Sequence, residues 1–310
     1  MEVLRAVGTV LRGVSQIFFI DNVWSGALIV LAVGWVHPWI AVAVVLGALA
    51  QTLGAWALLG RESVRTGMMG YNGALVGAAA AAALNHPVPA LLMAVVGALA
   101  CVPVHGMLQR LFGSRTVGWA ALPVATAPFC LVAGVLFDLV LPLVGSGTPT
   151  TGSGVPGVAL GALNSFSEVV LADGAVPGAL IVIALFVGGI RIGLFGLLGS
   201  LVALAGALLA GDGVVQASSG LLGYSAVLVS IALGAVVWND RPLWARITGA
   251  VVGVALTMVL QPLLAVLPVP VYTWPFLLSM WLLMLVVAAV TRTRRAAGGT
   301  PRRTAVAPIP

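Results

Sequence analysis

The sequence predicts an all-α polytopic membrane protein made of two inverted repeats, and three observations lead there. Hydrophobic residues make up 61% of the 310 and charged residues only 7%, with a mean hydropathy of +1.17; a soluble chain of this length could not bury so much apolar surface. The stretch from Ser15 to Val30 returns at Ser167 to Val182, with seven of sixteen positions identical and no gap. Matches among Gly, Ala, Leu, Ile and Val carry little weight in so apolar a chain, but Ser15 with Ser167 and Asp21 with Asp173 fall in the same register. Finally, the basic residues are fourteen arginines and no lysine, dispersed over short turns and both ends. That dispersal speaks to membrane topology and not to a nucleic-acid surface.

The elements follow in order. Residues 1 to 14 carry Arg5 and Arg12, and no signal-peptide pattern precedes them, so the first segment is expected to be retained. The segment from Gln16 to Asn22 is apolar but ends in polar residues before a new apolar run at Gly26. It is too short to span, since a crossing helix needs about 20 apolar residues, and a re-entrant half-helix is the arrangement that protein can bury at membrane depth. Five spans follow at about 23–36, 38–59, 67–84, 88–109 and 117–141, broken at His37-Pro38, Arg61 to Arg65, Asn85-His86-Pro87 and Arg110 to Arg115. An uncharged Gly, Ser, Thr and Pro stretch from Leu141 to Pro156 reads as a linker. The second half repeats the plan, with a short segment near 160–172 and spans near 174–189, 191–210, 218–238, 244–264 and 273–291. The chain thus divides into a first repeat at 1–147, a second at 148–291 and a disordered cytoplasmic tail at 292–310 carrying Arg292, Arg294, Arg295, Arg302 and Arg303.

An odd number of spans per repeat makes the second repeat enter from the opposite side, and the arginines test this through the positive-inside bias. With both termini cytoplasmic, Arg61, Arg65, Arg110, Arg115, Arg191, Arg241, Arg246 and the tail all fall on inner turns. The alternate turns, at His37, Asn85 to Pro87, the linker, Asp212 and Gln261 to Tyr272, hold none. Inverted repeats usually meet at a path near mid-membrane, so a central pore is expected between them.

Two further echoes place residues on that pore. Gly70-Tyr71-Asn72-Gly73-Ala74-Leu75-Val76 matches Gly223-Tyr224-Ser225-Ala226-Val227-Leu228-Val229 in the third spans, and Pro123 to Phe129 matches Pro270 to Phe276 in the fifth. Proline inside a span frees the carbonyl four residues earlier, and Thr126 or Thr273 adds a hydroxyl at that level. One such copy would suit a packing kink whose threonine bonds back to its own helix; two symmetric copies favour a polar notch in a pore wall. Glu168 is an ionisable group at membrane depth, which is costly and usually functional. Asp21 and Asp173 are expected to cap helix ends, Asp138 and Asp212 to lie at the outer surface, and His37, His86 and His105 to bind nothing. Cys101 and Cys130 read as buried, unpaired thiols. No His-Glu-x-x-His, Gly-x-Ser-x-Gly or clustered Cys and His occurs, so neither an intramembrane enzyme nor a metal or other cofactor is expected.

The glutamine or glutamate element, the Gly-Tyr-Asn-Gly span and the Thr-x-Pro-Phe span, each present twice in this order, resemble the urea transporter family over both repeats. The resemblance implies a passive, channel-type transporter for urea in the cell membrane: a homotrimer embedded in lipid, each protomer with its own pore lined by the half-helices and the third and fifth spans. It implies that Gln16 and Glu168 stand at the two ends of the filter, with Ile17 and Val169 as small apolar contacts beside them and Phe19 as a flat wall. Tyr71 with Leu75, and Tyr224 with Leu228, look like the apolar lining, and Thr126 and Thr273 like the central threonines. Three positions depart from the family pattern: Leu171 stands where an aromatic wall is expected opposite Phe19, tyrosines stand where phenylalanine is frequent, and Ser225 replaces the second asparagine. The rival readings are a channel for ammonia, short amides or water, or an ion-coupled transporter using Glu168. Against them, no two of the three histidines fall in equivalent repeat positions and no Asn-Pro-Ala occurs.

These residue types suit urea, which is planar and uncharged with two amide donors and one carbonyl. An unpaired amide in an apolar surround costs roughly several kcal/mol, so acceptors along one edge of the path would remove most of the barrier. Binding at each point must stay weak for flux to continue.

Overall fold

A computed structural model describes residues 2–64, 67–84, 86–144, 157–211 and 218–298. Arg65, Asn85, Asp212, most of the linker with the 147/148 boundary, and 299–310 lie outside it. Among the described residues there are twelve α-helices and no strand. The first six are α1 (Glu2–Ser15), α2 (Val23–Val36), α3 (Pro38–Leu59), α4 (Tyr71–Leu84), α5 (Pro87–Phe112) and α6 (Ala127–Val144). The second six are α7 (Val158–Ser167), α8 (Ala175–Gly188), α9 (Ile190–Ala210), α10 (Tyr224–Ile231), α11 (Leu243–Ala265) and α12 (Trp274–Gly298).

Length and composition qualify α3, α5, α9, α11 and the 274–294 part of α12 to cross a membrane, and the outward faces of these helices are apolar, with Leu92, Val96, Leu201, Val259 and Leu282 exposed. Such a surface belongs against lipid. The protein is therefore an integral membrane protein. Two further spans are broken: Leu4–Phe18 meets Val23–Val36 at 76°, and Leu160–Val170 meets Ala175–Gly188 at 77°. Each bend closes tightly because a glycine lets two backbones touch; a Cβ on Gly26 would collide with Leu11 O, and one on Gly178 with Leu163 O.

Helices α4 and α10 form the centre. Ala, Gly, Val and Leu surround α4 on every side, and nearly all of its residues are buried, as are all eight of α10; a helix apolar all round belongs inside a bundle. Helix α4 packs on α3, α5 and α6, and α10 packs on α9, α11 and α12. The two groups join mainly through α2 against α8, where the Ser25 hydroxyl donates to Ala184 O at 2.8 Å.

Several boundaries differ from the sequence reading, each for a physical reason. The span expected at 117–141 starts as a helix only at Ala127; before it lie a 3-10 turn (Gly118–Ala120) and left-handed backbone at Ala121 (φ 49°) and Ala125 (φ 46°). Pro128 and Pro275 are consequently the second residues of α6 and α12 and not kinks within spans. Proline is at home there, because first-turn amides have no intrahelical acceptor to lose. Helix α12 continues to Gly298, carrying Arg292 and Arg294, whose exposed side chains suit a helix end beyond the apolar run. Arg246, read as a turn residue, is on the first turn of α11 and only 6% exposed. Its Nε donates to Gly234 O at 2.6 Å, inside the π-helical stretch (Ala232–Val237) that continues α10. Asp21 does not cap α2: Asn22 does, accepting from the amides of Trp24 and Ser25 at 2.8 and 3.1 Å, while Asp21 pairs with Arg12 at 3.4 Å. Gly174 occupies the corresponding position at α8 with no side-chain cap.

Candidate functional site

Each broken span turns on the residues that repeat in the sequence. After Ser15 the backbone tightens into a 3-10 turn (Gln16–Phe18), and after Ser167 into another (Glu168–Val170). Phe19 (φ 62°) and Leu171 (φ 54°) then adopt the left-handed conformation, which is uncommon for bulky residues and is kept only where surroundings enforce it. Matching backbone bonds enforce it here: the amide of Phe19 donates to Gln16 O at 3.0 Å and that of Ile20 to Ser15 O at 3.2 Å, while Leu171 donates to Glu168 O at 3.1 Å and Ala172 to Ser167 O at 3.0 Å. Ser15 adds a hydroxyl bond to Ile20 O at 2.6 Å. The turns bury Ile17 and Val169 at 2% exposure each and leave Gln16, Phe19, Glu168 and Leu171 partly exposed.

The threonines meet. Thr126 and Thr273 immediately precede α6 and α12, and their carbonyls accept the first helical bonds, from Cys130 at 3.0 Å and Leu277 at 3.1 Å. A residue in that position commonly turns its hydroxyl onto its own helix. These two instead place their hydroxyls 2.6 Å apart, joining the two helix starts, and the Cys130 thiol lies 3.1 Å from the Thr273 oxygen.

The tyrosines hold those helix starts. The Tyr71 hydroxyl donates to Ala125 O at 2.7 Å, and the Tyr224 hydroxyl to Tyr272 O at 2.6 Å. Both acceptors belong to left-handed residues just before a threonine, Ala125 and Tyr272 (φ 39°). The hydroxyls that distinguish these positions from phenylalanine are thus committed to the backbone. Asn72 reinforces the first copy, reaching Ala125 O at 3.4 Å and accepting the Phe129 amide at 3.1 Å. Leu75 and Leu228 are each 1% exposed on α4 and α10.

Beside the threonine pair, a cavity of about 100 Å³ is lined by Phe129, Glu168, Val169, Leu171, Leu221, Tyr224, Tyr272 and Thr273. It brings together five of the residues singled out from sequence. At the other bend Phe19 meets Phe276 edge-on at 6.0 Å between ring centres. Where Phe19 stands in one copy Leu171 stands in the other, and the smaller side chain leaves Phe129 facing the cavity, 4.9 Å from the Tyr272 ring. Phe129, Phe276, Tyr272 and Cys130 were not picked from sequence as site residues. The first three lie inside the repeated Pro-x-x-Thr-x-Pro-Phe motif, which was the available signal; Cys130 has none, because its repeat counterpart is Leu277. Among the described residues no group of three or more His, Cys, Asp or Glu could hold a metal ion.

Comparison with known proteins identifies the family. The family described as urea transporter matches residues 7–288. Urea transporter 1 of Ovis aries is 27% identical over 311 residues, covering 92% of this chain and 78% of its own. Urea transporter 1 of Rattus norvegicus is 27% identical over 321 residues, covering 91% and 77%. That of Mus musculus is 26% identical over 313 residues with the same coverage. The match takes in both bends, both tyrosines and both threonines, and the chain belongs to the urea transporter family.

Proposed function

We propose that this chain carries urea passively across the membrane, along a path that runs past Gln16 and Phe19, between Thr126 and Thr273, and out past Glu168. Membership of a transporter family makes it a transporter and not an enzyme. The observation that carries the path is the 2.6 Å contact between the two threonine hydroxyls. It puts a pair of hydrogen-bonding groups at the junction of the two helix groups, where burial would otherwise leave urea's amides unpaired. Each hydroxyl can turn from its partner to a passing solute, so the groups that close the path are also those that admit an amide.

The two halves form inverted repeats of five spans and one half-helix each. The matched bends, tyrosine bonds and helix starts support this, and the arginine distribution supports cytoplasmic termini; the plasma membrane is the location that the family resemblance favours. The path lies within one protomer, so the homotrimer implied by the resemblance would carry three. The test is urea efflux from liposomes followed by light scattering. Fast, weakly saturable flux insensitive to sodium is expected. No flux above that of empty liposomes, from folded protein, would sink the reading.

A further inference from the structure

The cavity beside Glu168 has a donor and acceptor balance that suits a ligand other than urea. Its side-chain polar groups are one carboxylate and three hydroxyls. The Tyr224 hydroxyl is donated to Tyr272 O, and the Thr273 hydroxyl is engaged with Thr126 and Cys130. With Glu168 ionised, the wall offers a charged acceptor, while the Tyr224 and Thr273 hydroxyls are already engaged. Urea brings a carbonyl that needs a hydrogen; a planar cation made only of N–H groups brings none. Among the described residues no arginine forms an ion pair with Glu168. Phe129, Tyr224 and Tyr272 add aromatic faces, to which a cation is drawn.

We infer that the Glu168 cavity is a binding site for guanidinium-type cations, planar and close to urea in size, and that their binding blocks urea passage. The carboxylate and the planar fork match in geometry, and the rings of Phe129, Tyr224 and Tyr272 line the cavity beside it. The ion does not continue inward. Helices α6 and α12 both begin at the threonine pair, and each helix start carries roughly half a unit of positive charge. The opposite mouth presents the uncharged amide of Gln16 in place of Glu168, so the site exists at one end only.

This rests on the reading of the cavity as a mouth of the urea path, and two measurements separate the claims. Urea efflux from liposomes is measured with guanidinium chloride on both sides, beside equal sodium chloride and tetramethylammonium chloride, for wild type, Glu168→Gln and Phe129→Leu. Guanidinium alone is expected to slow wild-type flux, and Glu168→Gln to need about tenfold more of it, the change that loss of one charge-assisted hydrogen bond brings. Phe129→Leu, which keeps the charge, is expected to weaken the block by a smaller factor. Block no greater than that of the other salts, or equal in all three proteins, overturns the proposal. Calorimetric titration of guanidinium into the purified proteins decides the matter if urea flux itself is absent. Heat that is present in wild type and lost in Glu168→Gln upholds the cation site while the urea reading falls; no binding heat in wild type overturns it.

Discussion

Thr126 and Thr273 each hold the other's hydroxyl, so a change at one is felt by both. Replacing Thr273 by valine keeps the shape and leaves the Thr126 hydroxyl buried with its partner gone. A buried polar group left unpaired costs about 1–3 kcal/mol, and on the proposed path an amide in transit would lose its stepping point as well. Urea flux in Thr273→Val is expected to fall by about tenfold or more, measured by light scattering, with the protein still monodisperse in detergent. The tyrosines act differently, since their hydroxyls brace the backbone. Tyr71→Phe and Tyr224→Phe are each expected to lower stability by about 1 kcal/mol, seen as a fall in detergent melting temperature. These pairs were legible from sequence because each polar residue recurs in register within apolar surroundings. What the tyrosine hydroxyls do was not, because their acceptors lie some fifty residues away on a left-handed backbone that no periodicity announces.

The broken spans depend on backbone contact more than on side chains. A methyl on Gly26 would meet Leu11 O, and one on Gly178 would meet Leu163 O, whereas a methyl on Gly134 in α6 would meet nothing. Gly26→Ala and Gly178→Ala are therefore expected to open the bends and abolish urea flux or folding, while Gly134→Ala leaves flux unchanged and raises the melting temperature slightly. Hydropathy located all the long helices, yet it misread 117–126. Leu122, Pro123 and Val124 are as apolar as a helix, and only the positive φ of Ala121 and Ala125 shows that the chain is turning. Arg246 was misread for the opposite reason. Its position near a turn is real, but its long stem carries the charged end back into the protein, where a π-helical carbonyl receives it.

Across the whole molecule, two sets of helices with matched internal packing meet along α2 and α8. If they are inverted, the equivalent turns after α2 and after α8 face opposite sides of the membrane. Single cysteines placed at His37 and Gly189 in a variant lacking Cys101 and Cys130 are expected to label from opposite sides of sealed vesicles with an impermeant thiol reagent. Labelling of both from one side would refute the topology. The repeat was visible in sequence because Ser15 and Asp21 recur with their apolar context. The difference between the two ends was visible as Glu168 in place of Gln16 and Leu171 in place of an aromatic residue, while the cavity beside them required the structure.

The threonine pair also bears on protons. A hydroxyl has one hydrogen to give, so Thr273 can pass its own to Thr126 or to the Cys130 sulfur but not to both. If Thr126 donates to Thr273, the row ends on the thiol; if the thiol donates, the row begins there. In either order one end is the buried Cys130 sulfur, so on the proposed path the oxygens would not form an unbroken file for a proton to hop along. A neutral solute would cross such a point by exchanging hydrogen bonds, and proton leak through urea-conducting liposomes, followed with a trapped pH dye, is expected to stay at that of empty ones.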